Sequence, residues 1–419
     1  MHNPRPFCFF LCVLCFLALG AAGCQLPAAL PATPTPGPSL TPAPTLTPTE
    51  TNTPWPAFVT LTPLPTATAV LTATRAASGT PFPSATPTPV ILGAIHFPAD
   101  VNPLTGLKVS DPTRLDRRPV LVKVSNFPRT GRPHAGLSAA DLVFEYYIGE
   151  YENRFLGVYY SQDATRIGPL RSGRLVDAQL GTEYGGILVY GNADPRVDKL
   201  LVDTLGTRAI TFDDAPCPPI CGKDTHSVEG VFANSAETTR FAIAQRINND
   251  RPDLRGMIFD VRPPVTKTGG EFLGVMFGPE NRGEWRYAPA RGVYLRWIEE
   301  ERSRNQFVQV PLIDRNNGQQ LAVDNVVVLF TQTTELLPTM FEMELNGNTG
   351  GQRAVFFRDG RVVDGLWRSN GANLPLSFMS SWGVPMPLKP GKTWIIFVGM
   401  PSILSQNTPA RWELEYHTK

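Results

Sequence analysis

Asp141-Leu-Val-Phe-Glu-Tyr-Tyr147 and Arg154-Phe-Leu-Gly-Val-Tyr-Tyr160 lie on either side of a short polar turn. Both runs are rich in β-branched and aromatic residues, which suit a pleated, buried surface, so both read as strands. Pro119-Val-Leu-Val-Lys-Val-Ser125 alternates well enough to be a third strand, and Gly186-Ile-Leu-Val-Tyr190 is a short buried fourth. Helical patterns begin after Ser172, Asp194 and Asn234, running from Arg174 to Glu183, to about Leu205 and to about Asn248. Each of the three leading residues can accept a hydrogen bond from the first turn of a helix, so each is a candidate N-cap. Strands and helices alternate only in part. The expected class is therefore α+β and not a doubly wound sheet.

Further along, Val261-Arg-Pro-Pro-Val265 interrupts the pattern and is the expected boundary between segments 94–262, mixed α/β, and 263–419, β-rich. Leu321–Phe330, Arg353–Arg358, Arg361–Trp367 and Thr393–Val398 are apolar or β-branched. Asp359-Gly360, set between two of them, is a hairpin signal.

The first residues carry a different message. Arg5 supplies a positive charge, Phe7 to Leu19 form an apolar run, and Gly20-Ala21-Ala22-Gly23 lead into Cys24. The run is shorter than the roughly 20 residues that a membrane helix needs, and it reads as a secretory signal peptide over 1–23. Small residues before a cysteine predict lipidation of Cys24, although Ala21 stands where leucine is usual; an ordinary cleavage site or an uncleaved anchor are the alternatives. From Gln25 to about Pro89, roughly half the residues are Pro or Thr, and the only charges are Glu50 and Arg75. Such a segment, within an expected stalk over 24–93, buries too little to offset backbone entropy; in polyproline II it would extend on the order of 100–200 Å. The expected partners are a membrane, through the lipid, and no nucleic acid, because the formal net charge is only +1.

Arg132-Pro-His-Ala-Gly-Leu-Ser-Ala-Ala-Asp-Leu-Val-Phe-Glu145, Arg154-Phe-Leu156 and Ile167-Gly-Pro-Leu-Arg-Ser-Gly-Arg174 together resemble the bacterial YerB-like lipoproteins, a domain-of-unknown-function family. Asn102-Pro-Leu-Thr-Gly106 is similar to the family's opening. Phe357-Arg-Asp-Gly-Arg361, Trp367 and Leu388-Lys-Pro-Gly-Lys-Thr-Trp394 are similar to its C-terminal domain. The resemblance implies lipid anchoring, an α/β-type domain and a β-rich one. It brings no activity and no catalytic residues. Cys217-Pro-Pro-Ile-Cys221, just before His226, departs from the family's usual loop.

The most distinctive polar feature is Arg166-Ile-Gly-Pro-Leu-Arg-Ser-Gly-Arg174, with three arginines ahead of a helix. A helix N-terminus presents free N–H groups and a favourable dipole to an anion, and Arg171 and Arg174 could add bidentate contacts. The competing reading pairs these arginines with Asp141, Glu145 or Asp177 inside the fold. Glu145, Glu150, Glu152 and Arg154 cluster on a strand–turn–strand segment and could hold an acid and a base, though solvated turn charges are the commoner outcome. Ser172, His226 and an aspartate could form a triad, but no Gly-x-Ser-x-Gly elbow is present and Ser172 also suits a cap. Cys217 and Cys221 are expected to form a local disulfide; zinc, with His226 and Asp213 or Asp214, would want a second firm pair. The many tyrosines and tryptophans could stack a ligand or fill the core. The expected function is non-enzymatic binding of an anionic envelope polymer or peptide, through Arg166, Arg171, Ser172, Arg174, Glu145, Arg154 and His226, with no cofactor and no metal. An envelope hydrolase and a scaffold for another envelope protein are the alternatives.

Overall fold

All six residues of Val120–Ser125 (β1) are buried, as a strand covered on both faces requires. The computed structural model describes residues 91–93, 96–222, 230–369, 371 and 374–418, which belong to one compact unit. The expected signal peptide, Cys24, the expected stalk as far as residue 90, and His226 lie outside the described residues. Next come Leu142–Gly149 (β2), Glu152–Tyr159 (β3), Leu175–Glu183 (α1), Ile187–Val189 (β4), Pro195–Leu205 (α2) and Ala209–Ile210 (β5). Ile220–Cys221 (β6) and Phe232–Ala233 (β7) form a small ladder before Ser235–Ala244 (α3). Then follow Phe272–Gly278 (β8), Asn281–Ala288 (β9), Val293–Ser303 (β10), Gln306–Pro311 (β11), Ala322–Val323 (β12) and Asn325–Thr331 (β13). The rest are Thr333–Leu337 (β14), Met340–Met343 (β15), Gln352–Arg358 (β16), Arg361–Arg368 (β17), Ser377–Met379 (β18), Thr393–Gly399 (β19), Ile403–Thr408 (β20) and Arg411–Glu415 (β21).

The larger sheet has ten strands in the order β18-β17-β16-β13-β19-β2-β3-β1-β4-β5. The smaller runs β11-β10-β9-β8-β21-β20, with β12 joined to β10. Successive side chains on a strand point to opposite faces, and that alternation sorts the core into two halves. Val120, Val122, Val124 and Phe155 face Trp285 and Ile298 of the smaller sheet. Leu121, Phe144 and Leu156 face Val176 and Leu180 of α1 and Leu201 of α2. The layers are thus helices, larger sheet, smaller sheet, and the class is α+β.

Val261 and Val265 are exposed where the chain leaves the first layer for the smaller sheet. After β12 it returns. β19 then inserts parallel between β13 and β2, with Ile395 opposite Phe144 and Phe397 opposite Tyr146. Strands from both sides of the proline break therefore share the larger sheet. At the β16–β17 turn, Asp359 and Gly360 both have positive φ, 54° and 70°, the mirror-image turn that matches strand twist.

Candidate functional site

The arginine loop is laid along the carboxyl end of β1. Ser125 N–H donates to Pro169 O (2.8 Å) and Arg171 N–H to Lys123 O (3.1 Å). It is also tied to the chain leaving β4, where Gly191 N–H donates to Arg171 O and Gly173 N–H to Asn192 O. β1 and β4 are parallel neighbours. The loop therefore delivers the start of α1 to the carboxyl ends of two parallel strands, where open sheets present ligand crevices. The helix begins at Leu175, and Arg174, not Ser172, is its N-cap. Asp177 folds back to accept the Arg174 N–H at 2.7 Å. Ser172 instead donates its hydroxyl to Asn192 Oδ1 at 2.6 Å.

Lys123 of β1 is fully buried beneath this helix start. Its Nζ donates to Tyr146 Oη of β2 and lies 3.3 Å from the Asp177 carboxylate, and Tyr146 donates its own proton to Asp177. Arg154 of β3 stands opposite Tyr146 in register, 4% exposed, and reaches Glu152 at 3.1 Å. The Arg174 guanidinium donates to the carbonyl of Gly173 at 2.9 Å. Burial lowers the Lys123 ammonium to about 7; Asp177 resists the shift, while Arg174 and Arg154 reinforce it. Arg154 is lowered to about 10, first by burial and then by Arg174 and Arg171, with Glu152 opposing. Cations thus crowd one another here despite two carboxylates. Lys123 escaped notice in the sequence, where its one signal was a lone charge in the apolar run Val120-Leu-Val-Lys-Val124.

Other candidates fall elsewhere. Glu145 is fully buried on the opposite face of β2, 3.3 Å from Arg296 of β10. Trp394 Nε1 donates to it at 2.6 Å, and Asn153 Nδ2 donates as well. Arg296 lies over the Trp285 ring at 4.0 Å. Glu145 therefore joins the two sheets and is sealed from solvent. Asp141 accepts from Asn102, Tyr160 N–H and Ser161, and no arginine is among these partners. Arg166 is exposed with its guanidinium 3.9 Å above the Phe232 ring, apart from Lys123. Cys217 and Cys221 are joined by a disulfide, so the thiolates that zinc would take are used. Among the described residues no metal-ligating group of three or more forms. Tyr146, Tyr159, Tyr160, Trp285, Trp367 and Trp394 are buried, so most of the aromatic set packs the core; Tyr151 and Trp382 are exposed.

Comparison with known proteins fits this architecture. Residues 104–217 match the N-terminal domain described as a protein of unknown function (DUF3048), and residues 273–395 match the C-terminal domain of the same family. The chain is 26% identical over 309 residues to YerB of Bacillus subtilis (strain 168), a protein named as a lipoprotein, covering 71% of this chain and 85% of that one. The crystal structure of Bacillus subtilis YerB shares the fold, with a TM-score of 0.57 and 23% identity over 71% of this chain and 96% of that one. The two matched regions hold β1–β4, the arginine loop and most of the strands that complete the larger sheet, and on that ground the chain belongs to the DUF3048 family.

Proposed function

We propose that this protein is an extracytoplasmic lipoprotein, anchored through Cys24, that binds an anionic group of the cell envelope at the start of α1. The lipoprotein character of YerB and the signal-like N-terminus support the anchor. The observation that carries the binding reading is the crowding of Lys123, Arg154, Arg171 and Arg174 at the carboxyl ends of β1 and β4. The first N–H groups of α1 add their dipole to these charges. A carboxylate or phosphate arriving there relieves like-charge repulsion that the empty protein must bear. The partial burial of Arg174 and the near-complete burial of Arg154 strengthen the attraction by excluding water.

The reading makes a separable prediction for stability and binding. Arg174→Ala removes a guanidinium whose bonds are to carbonyls of its own loop, so the denaturant midpoint should change by no more than about 1 kcal/mol. Retention of the full-length chain on isolated envelope material should fall sharply for Arg174→Ala and Arg171→Ala. Wild-type retention should weaken as salt rises. Retention unchanged in both variants sinks the anion site. Loss of stability by about 3–5 kcal/mol in both would make the arginines structural ion-pair members.

A further inference from the structure

A cavity of 590 Å³ opens between α1, α2 and the β14–β15 hairpin, within the size range of small-molecule sites. Its walls follow from local periodicity. Leu175, Ala178 and Thr182 of α1 are spaced by three and four, so they form one stripe of the helix. On the hairpin, Thr334 stands opposite Glu342, and Glu344 N–H donates to Gln332 O at 3.0 Å. Gln332, Thr334, Glu342 and Glu344 therefore share the face that lines the cavity, while Thr333, Phe341 and Met343 are buried on the other. Gln179 of α1 ties the two walls together. Its Nε2 donates to Met343 O at 2.8 Å, and its Oε1 accepts from Leu345 N–H and Asn346 N–H, both at 3.0 Å.

The lining carries charge of one sign. Leu175, Ala178 and Leu200 supply apolar surface, and the charged side chains are Glu342 and Glu344, with no lysine, arginine or histidine beside them in the lining. The two glutamates are exposed and two positions apart on one strand, which sets their backbones roughly 7 Å apart. Neither carboxylate has an ion-pair or hydrogen-bond partner among the described residues. Lys199, next to Leu200 in the chain, is already held by Asp203 at 2.6 Å. A cation entering the cavity meets two uncompensated carboxylates, and an anion is repelled by both. An ammonium has three N–H donors, enough to serve both carboxylates at once. A stem of methylenes behind it can lie on the two leucines, as the stems of long cationic side chains do on apolar surface.

We propose that this cavity is a cation site, independent of the anion site, that takes a primary ammonium on an apolar stem, the chemistry of an alkylamine or of a lysine-type side chain. Glu342 and Glu344 hold the ammonium, Leu175 and Leu200 cover the stem, and Gln179 positions the hairpin against α1.

The test uses ligand-observed NMR on the full-length protein with pentylammonium, pentanol and pentanoate at matched low ionic strength. Pentylammonium should bind, with pentanol and pentanoate at least about tenfold weaker. Methylammonium, which lacks the stem, should bind at least about fivefold more weakly than pentylammonium. Glu342→Gln/Glu344→Gln keeps the size of two exposed side chains, so circular dichroism should show an unchanged fold. Its affinity for pentylammonium should fall at least about tenfold. Glu271→Gln, which removes an exposed carboxylate outside the cavity lining, should bind as wild type does. Arg174→Ala should bind pentylammonium no more weakly than wild type, which separates this site from the anion site. Nα-acetyl-lysine amide, binding as well as pentylammonium, assigns a side chain as the source of the ammonium; its exclusion assigns a free amine. No binding of pentylammonium, equal binding of the three pentyl probes, full affinity in the folded double variant, or an equal loss in Glu271→Gln would each overturn the proposal.

Discussion

At the scale of single residues, the charges hidden in the core carry the information that sequence reading had least access to. Glu145 and Tyr146 are adjacent in one strand, yet one faces Arg296 and the other Lys123. Alternation along β2 showed that they part company. It could not show that a second sheet covers the Glu145 side, because its partner is 151 positions away. His134 is a sharper case. It is 1% exposed and edge-on to Phe155. Burial holds it at about 3, helped by Arg132, Arg296 and Arg315, while the Ser125 backbone offsets only part. A histidine with a depressed folded value contributes fully above its unfolded pKa of about 6.5 and loses that contribution as pH falls toward 3. The loss amounts to at most ~1.4 kcal/mol per pH unit. Denaturant midpoints of wild type and His134→Phe, taken from pH 7.5 down to pH 4.5, should diverge, with the variant losing less. Parallel curves would show that His134 stays neutral in neither state more than the other.

Elements were the most legible level. β1 to β4, the three helices and the Asp359-Gly360 turn stand close to where hydrophobic pattern and turn chemistry put them. The differences have local causes. α3 stops at Ala244, followed by Arg246 at positive φ (57°), short of the expected end near Asn248. The α1 cap moved from Ser172 to Arg174 because the loop first pairs with β1 and with the chain after β4, which keeps 171–173 extended. Caps that sequence alone could assign should behave as caps. Asn234 Oδ1 accepts from Glu237 N–H at 3.2 Å, so Asn234→Ala should cost about 1 kcal/mol. Ser172→Ala removes only an exposed hydroxyl contact to Asn192 and should stay within about 0.5 kcal/mol. Chemical denaturation of the two variants side by side decides it, and equal losses would contradict the cap assignment. β8 to β11, β20 and β21 were not read individually; β9, Asn-Arg-Gly-Glu-Trp-Arg-Tyr-Ala, and β21, Arg-Trp-Glu-Leu-Glu, mix charges with apolar residues and show no clean alternation.

For the whole molecule, the route of the chain after Val261–Val265 was not legible in the sequence. Pairing between β2 and β19 is non-local, and no periodicity announces it. Its energetic meaning is testable. A fragment spanning 94–262 leaves β2 with a bare edge where Phe144 and Tyr146 should meet Ile395 and Phe397, and it uncovers Val124 and Phe155 where the smaller sheet belongs. We expect that fragment to fail to fold, and residues 91–419 to unfold in one cooperative transition by circular dichroism and tryptophan fluorescence together. A stable, monomeric fragment with protected amides would contradict this.

The late arrival of β19 has a consequence for biogenesis. A chain that emerges in order of sequence presents β2 long before its neighbour exists, so the centre of the sheet stays unclosed through most of synthesis. On the export route proposed above, through a channel that passes unfolded polypeptide, that delay would keep the chain threadable.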